Sequence, residues 1–265
     1  MEMLRLQQDG HTARILIDHP QRKNALSRAM WCALPPCIAR AQADPRTRVV
    51  VVQGAQPGMF AAGADISEFE RTYTQPTEAA IAAREIQDGI DAVQACLLPV
   101  VALIDGPCVG GGVALAVACD IRLASDTSRF AVTPARLGLS YHPDDLRRLV
   151  RACGLANASE LLFGGQIWNA ERALTCGLVN RVIASDHFAA ESSALVDAIA
   201  ANSVESTRAI KQGLAAVDAR DAVATARAAQ TFLDLFQGSD FIEGRDAFLQ
   251  KRAAHFPSHR IEPKT

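Results

Sequence analysis

The sequence predicts an α/β protein whose second half is helical. Three observations carry this. Strand-like apolar runs alternate with turns and helical segments over the first half of the chain. From about Asn157 onward the apolar spacing is almost entirely helical. Hydrophobic residues make up 49% and charged residues 21% of the 265 positions, the balance of a globular domain with a sizeable core.

The elements follow in order. Leu4 to Gln8 and Thr12 to Asp18 flank Asp9-Gly10, a hairpin signal. Ser27 is placed to cap a helix from Arg28, and Pro35-Pro36 is expected to end or kink it, since each ring removes a donor and crowds the preceding turn. Arg48 to Gln53 reads as a buried strand closed by Gly54. Pro99 to Asp105 and Ile121 to Ala124 read as two more. Asp65 caps a helix reaching Phe69, with Glu68 as its capping-box partner. Thr77 to Leu97 is a long helix, Val113 to Cys119 a short buried one, and Asp144 to Ala152 an amphipathic one. Ala158 to Phe163, Ala170 to Cys176, His187 to Ala201, Val204 to Val217, Arg220 to Phe236 and Phe241 to Ala254 complete the helical part, the last capped by Ser239. We divide the chain into a core at 1–195 and a helical region at 196–265.

Composition excludes several functions. The net charge is -2, with no basic stripe for nucleic acid. The N-terminal residues carry no signal-peptide pattern, and the most apolar run, Leu97 to Ile104, is too short to span a bilayer, so a soluble cytoplasmic protein is expected. Seven cysteines, none in a C-x-x-C pair, point to reduced and mostly buried thiols, with no metal site and no redox cofactor. Cys108, beside a glycine run, reads as a small buried residue and not as a nucleophile.

Four segments carry a family resemblance: Arg22-Lys23-Asn24-Ala25-Leu26; Phe60-Ala61-Ala62-Gly63-Ala64-Asp65-Ile66; Gly106 to Gly112 running into Cys119-Asp120-Ile121-Arg122; and Gly177 to Val182, with Phe248 to Arg252 near the C-terminus. In this order the chain resembles the crotonase (enoyl-CoA hydratase/isomerase) superfamily over nearly its whole length. The resemblance implies a spiral of repeated β-β-α units with a helical C-terminal region, assembled as a trimer or a dimer of trimers. It implies an acyl-CoA thioester as substrate, with coenzyme A part of that substrate and not a separate cofactor. The backbone N–H groups of Ala64 and Gly111 would form the oxyanion hole for a thioester enolate. Arg22, Lys23, Ala25, Ala62, Ala64, Asp65, Ile66, Gly110 and Lys251 would contact the CoA thioester, Lys251 often from a neighbouring subunit.

The chain departs from the hydratases where their chemistry lies. The two positions at which hydratases carry glutamates fall on Ala114 and Pro134. Neither side chain holds or moves a proton, and each general acid or base typically contributes about 10²–10⁴-fold. The loop after Pro134 offers Tyr141 and His142. Thr133 to Tyr141 matches a Thr-Pro-x-x-Leu-Gly-x-x-Tyr pattern that resembles the methylmalonyl-CoA decarboxylase-like members, although those usually retain the first glutamate. His142 stands where isomerases of the superfamily carry an acid. Asp144 and Asp145 read as helix caps. Asp65 and Asp120 read as structural, the latter as a partner for Arg122. The expected function is an acyl-CoA lyase of decarboxylase type, with an isomerase or atypical hydratase using His142 as the alternative, and a non-catalytic acyl-CoA binder as the third.

Overall fold

A computed structural model of the chain describes residues 3–257. In chain order it contains β1 (Leu4–Asp9), β2 (Thr12–Ile17), α1 (Arg28–Ala43), β3 (Val49–Gly54), α2 (Phe69–Tyr73), α3 (Pro76–Gln94), β4 (Val100–Ile104), β5 (Pro107–Val109), α4 (Gly111–Ala118), β6 (Ile121–Ser125), β7 (Arg129–Ala131), α5 (Pro143–Gly164), β8 (Trp168–Asn169), α6 (Ala170–Thr175), β9 (Arg181–Ile183), α7 (Phe188–Ala200), α8 (Val204–Ala219), α9 (Ala222–Asp234) and α10 (Ser239–Leu249). Short 3-10 turns precede α2 and α5.

The main sheet has the order β1-β2-β3-β4-β6-β9. Its first pair is the expected antiparallel hairpin, from Leu4 opposite Ile17 to Asp9 opposite Thr12, and every later pair is parallel. The valine run explains this. Val49, Val50, Val51 and Val52 are all fully buried because the sheet is covered on both faces. Val50 and Val52 join the larger core with α1, α3 and α4. Val49 and Val51 point the other way, onto Phe188 and Val196 of α7. A small second sheet, β5-β7-β8, runs behind the glycine-rich segment.

Several expectations are corrected. Pro35 and Pro36 lie inside α1, which continues to Ala43. The carbonyls they leave without a helical partner include that of Trp31, and there α3 closes in. A Cβ on Gly89 would lie 2.8 Å from Trp31 O. Packing against α3 therefore carries the helix past a local signal to stop. Glu68 does not close a capping box. Asp65 caps the 3-10 turn through Ser67 N, while Glu68 Oε2 accepts from the backbone N of Arg28 at the start of α1. Asp120 does not pair with Arg122. Its Oδ2 takes Val100 N–H and Lys211 Nζ, and Arg122 donates to the Leu178 and Cys119 carbonyls. The N-cap of α5 is His142 and not Asp144 or Asp145, and Gly154 breaks that helix (φ 78, ψ 158). Arg220 is the left-handed C-cap of α8, so α9 begins two residues later. Ser239 opens α10 without capping it. The helical half also contains β8 and β9, too short for a periodic pattern. Among the described residues no helix is long and apolar enough to cross a membrane.

Candidate active site

The site forms where three segments run side by side. Isolated parallel bridges join Leu26 to Ala64 and Ala61 to Cys108. Leu26 N–H donates to Gly63 O at 2.7 Å and Asp65 N–H to Leu26 O at 3.0 Å. Ala61 N–H donates to Pro107 O at 2.9 Å and Val109 N–H to Ala61 O at 3.0 Å. Pairing of alternate amides leaves Ala64 N–H with no protein acceptor among the described residues. Gly111 is the first residue of α4, where an N–H has no partner inside its own helix, and none is found outside it among the described residues.

These two free donors are neighbours. A Cβ built on Gly111 would sit 3.6 Å from Ala64 N and 3.0 Å from Trp31 Cζ2. Gly63 has φ 103, and a Cβ there would meet Val109 O at 3.1 Å. A side chain at either position would crowd the space between the donors. The N-terminus of α4 adds its dipole, so the spot favours developing negative charge.

Ala64 also borders a cavity of about 20 Å³, room for roughly one water molecule. Leu26, Trp31, Phe69, Thr72 and Ile86 contribute to its walls. The carboxylates at its edge are engaged, Asp65 with Ser67 and Glu68 with Arg28. Arg28 in turn is held by Glu85 and Glu78. Trp31 and Glu68 were not selected from the sequence. A tryptophan one turn after a cap reads as core until α1 is placed against Ala64.

Tyr141 and His142, adjacent in sequence, part company. The Tyr141 hydroxyl donates to Gly110 O at 2.9 Å, and its ring packs against the core. Gly110 O belongs to the same peptide unit as Gly111 N–H. In a trans peptide the two point in opposite directions, so the phenol braces that unit from behind. Burial, with Asp145 adding to it, pushes the phenol well above the ordinary tyrosine range, so it stays protonated. His142 faces solvent and its Nδ1 accepts from Asp144 N–H at 3.3 Å, while Nε2 has no hydrogen bond among the described residues. Asp145 is buried against Arg148 and Gln87. Ala114 is fully buried in α4, and Pro134 opens the 3-10 turn before Gly138.

The positions expected to touch a bound thioester fall into two groups. Arg22, Lys23, Ala25, Ala62, Asp65, Ile66 and Gly110 surround the bridged segments. Lys23 and Asn24 both have positive φ, fixed by Ala62 N–H on Lys23 O and by the Asn24 side chain on His19 N and Met59 O. The Asp65 carboxyl is lowered, chiefly by its hydrogen bond from Ser67, with the Arg22 charge adding a smaller effect. Lys251 stands apart, on the exposed turn after α10, and no hydrogen bond or ion pair joins it to the Arg22 loop among the described residues. Cys108 is fully buried and its thiol is pushed up by desolvation, which makes it inert.

The enoyl-CoA hydratase/isomerase family model matches residues 7–259. A probable enoyl-CoA hydratase of Mycobacterium leprae is 31% identical over 248 residues, covering 93% of this chain and 94% of that protein. The mitochondrial Delta(3,5)-Delta(2,4)-dienoyl-CoA isomerase of Mus musculus is 34% identical over 182 residues, 65% of this chain and 55% of that protein. Among solved structures, an enoyl-CoA hydratase/isomerase family protein of Hyphomonas neptunium superposes with a TM-score of 0.93 at 38% identity, over 98% of this chain and 100% of that one.

Proposed function

The chain belongs to the enoyl-CoA hydratase/isomerase family and has the crotonase fold, and from that premise we propose that it acts on an acyl-CoA thioester as a lyase of decarboxylase type. One observation carries the reading. Two unengaged N–H groups, of Ala64 and Gly111, converge on one spot, while the positions of the two hydratase glutamates are alanine and proline.

Decarboxylation suits that combination. Loss of CO₂ from a carboxyacyl thioester needs no base, because the electrons of the broken C–C bond become the enolate. The two N–H groups hold the enolate oxygen, and one such donor is worth about 2.7–4 kcal/mol in a transition state. A proton then returns to the α carbon. His142, open to solvent with Nε2 free, is the carrier, and Tyr141 holds the donor peptide in place. Arg22 and Lys23 would bind the CoA phosphates, with Ala25, Ala62, Asp65, Ile66 and Gly110 shaping the path of the thioester arm.

The resemblance to a dienoyl-CoA isomerase favours a second reading, a double-bond shift with His142 as the sole shuttle. The test incubates the protein in D₂O with malonyl-type, 2-enoyl and 3-enoyl thioesters. We expect CO₂ release from the malonyl type with one deuterium at the α carbon. Interconversion of the enoyl isomers without CO₂ release would establish the isomerase instead. Binding with no chemistry on any thioester would leave only a binder.

A further inference from the structure

We infer that the indole N–H of Trp31 is a third hydrogen-bond donor to the substrate, selecting acyl groups that carry an oxygen on C3. The inference rests on the acyl-thioester reading above. Trp31 is 2% exposed, and its Nε1 is a buried donor without an acceptor among the described residues. Buried polar groups in folded proteins are nearly always paired, so an orphan at a cavity wall calls for a partner that arrives with a ligand. Trp31 lines the cavity next to Ala64.

The placement defines the ligand. Cζ2 and Cη2 of the ring lie 3.0 Å and 3.6 Å from where a Gly111 Cβ would be, and Cζ2 is bonded to the ring carbon that carries Nε1. A thioester oxygen held by Gly111 therefore puts the acyl chain alongside the indole N–H. The acceptor that can serve both donors is a second oxygen in 1,3 relation to the thioester carbonyl. A malonyl carboxylate, a 3-keto group and a 3-hydroxyl group share this chemistry. The other cavity walls point the same way. Leu26, Phe69, Ala82 and Ile86 offer no hydrogen bond, Arg28, Asp65 and Glu68 are already engaged, and the hydroxyls of Thr72 and Tyr73 are the other polar groups of the wall. At about 20 Å³ the cavity has room for a single oxygen-sized group beside the indole and not for a whole acyl chain.

The test compares wild type with Trp31→Phe, which keeps a ring and removes the donor. Dissociation constants are measured for butyryl-CoA, 3-hydroxybutyryl-CoA, acetoacetyl-CoA and malonyl-CoA, the last with CO₂ release followed in parallel. Trp31→Phe is expected to weaken the C3-oxygenated ligands by about tenfold and to leave butyryl-CoA within about twofold, the effect of one buried hydrogen bond. The largest loss on malonyl-CoA identifies a carboxylate as the natural acceptor, and the largest loss on the other two a neutral oxygen. Equal weakening of all four, or of none, overturns the inference. If wild type binds no thioester at all, the acyl-thioester reading itself fails. A second readout needs no variant at position 31. The chain has two tryptophans, so ¹⁵N-indole spectra of wild type and Trp168→Phe assign the Trp31 N–H signal. It should move with acetoacetyl-CoA and stay with butyryl-CoA, and identical shifts for both would overturn the inference.

Discussion

Tyr141 is placed to support the proposed reaction without touching the substrate. Its bond to Gly110 O adds to those from Val113 N–H and Ala114 N–H, so three donors polarise one carbonyl. Polarising the carbonyl of a peptide strengthens its N–H as a donor, here that of Gly111. Magnitude separates this from acid catalysis. Loss of one neutral hydrogen bond is worth about 1 kcal/mol, or roughly fivefold in rate. Loss of a general acid costs about 10²–10⁴-fold. Tyr141→Phe is therefore expected to lower kcat about fivefold, with KM little changed. The pH profile should keep its shape, because a phenol pushed far above its ordinary value does not titrate in the working range. His142→Ala should fall in the larger class. A drop of a thousandfold for Tyr141→Phe would make the phenol the acid after all.

At the scale of elements, the contact between α1 and α3 decides where Trp31 stands. Gly89 lets α3 approach the Trp31 carbonyl left free by Pro35, and a Cβ there would be 2.8 Å from that backbone oxygen. Gly89→Ala gains about 1 kcal/mol of helix propensity but overpacks a backbone contact, at a cost of about 1–3 kcal/mol. We expect a lower urea midpoint. Gly213→Ala is the contrast: its Cβ would find Ala228 at an ordinary 3.8 Å, so the midpoint should rise. The same contact explains what the sequence could and could not convey. The buried strands were legible because two-sided burial writes four valines in a row. Ala64 and Gly111 were expected from the family resemblance, which the glycines around them carry, and the structure leaves both of their N–H groups unpaired among the described residues. The run of α1 through two prolines was not, since its cause lies in a helix some fifty residues away. Nor was the unpaired indole N–H of Trp31, because an indole on an alanine-rich helix has the same pattern whether its N–H meets a carbonyl or a cavity. The different placement of Tyr141, on Gly110 O, and of His142, in solvent, was hidden for a related reason, since neighbours at a helix start need not face the same way.

At the scale of the molecule, the C-terminal helices are made for more contact than one chain supplies. In α8 only Val204 and Ala216 are buried, and in α9 no residue is. Ile210, Leu214 and Val217 form an i, i+4, i+7 stripe left to water, and Phe232, Leu233 and Phe236 are open on the neighbouring elements. Apolar surface of this extent marks an interface. A second feature argues for other copies of this chain as the occupant. Lys251, expected near CoA, lies beside Phe248 and Leu249, which are 83% and 71% exposed, and no hydrogen bond or ion pair joins it to its own Arg22 loop among the described residues. Packing these helices against a neighbour would present Lys251 to that neighbour's bound thioester. Light scattering should give the mass of three chains or a multiple of three. A Leu214→Asp, Phe232→Asp double variant should give that of one chain with its far-ultraviolet circular dichroism kept. The single chains should also bind CoA thioesters more weakly, as Lys251→Ala does in the intact assembly. A wild type that is itself monomeric, or a dispersed variant with undiminished CoA affinity, would separate the apolar face from the site.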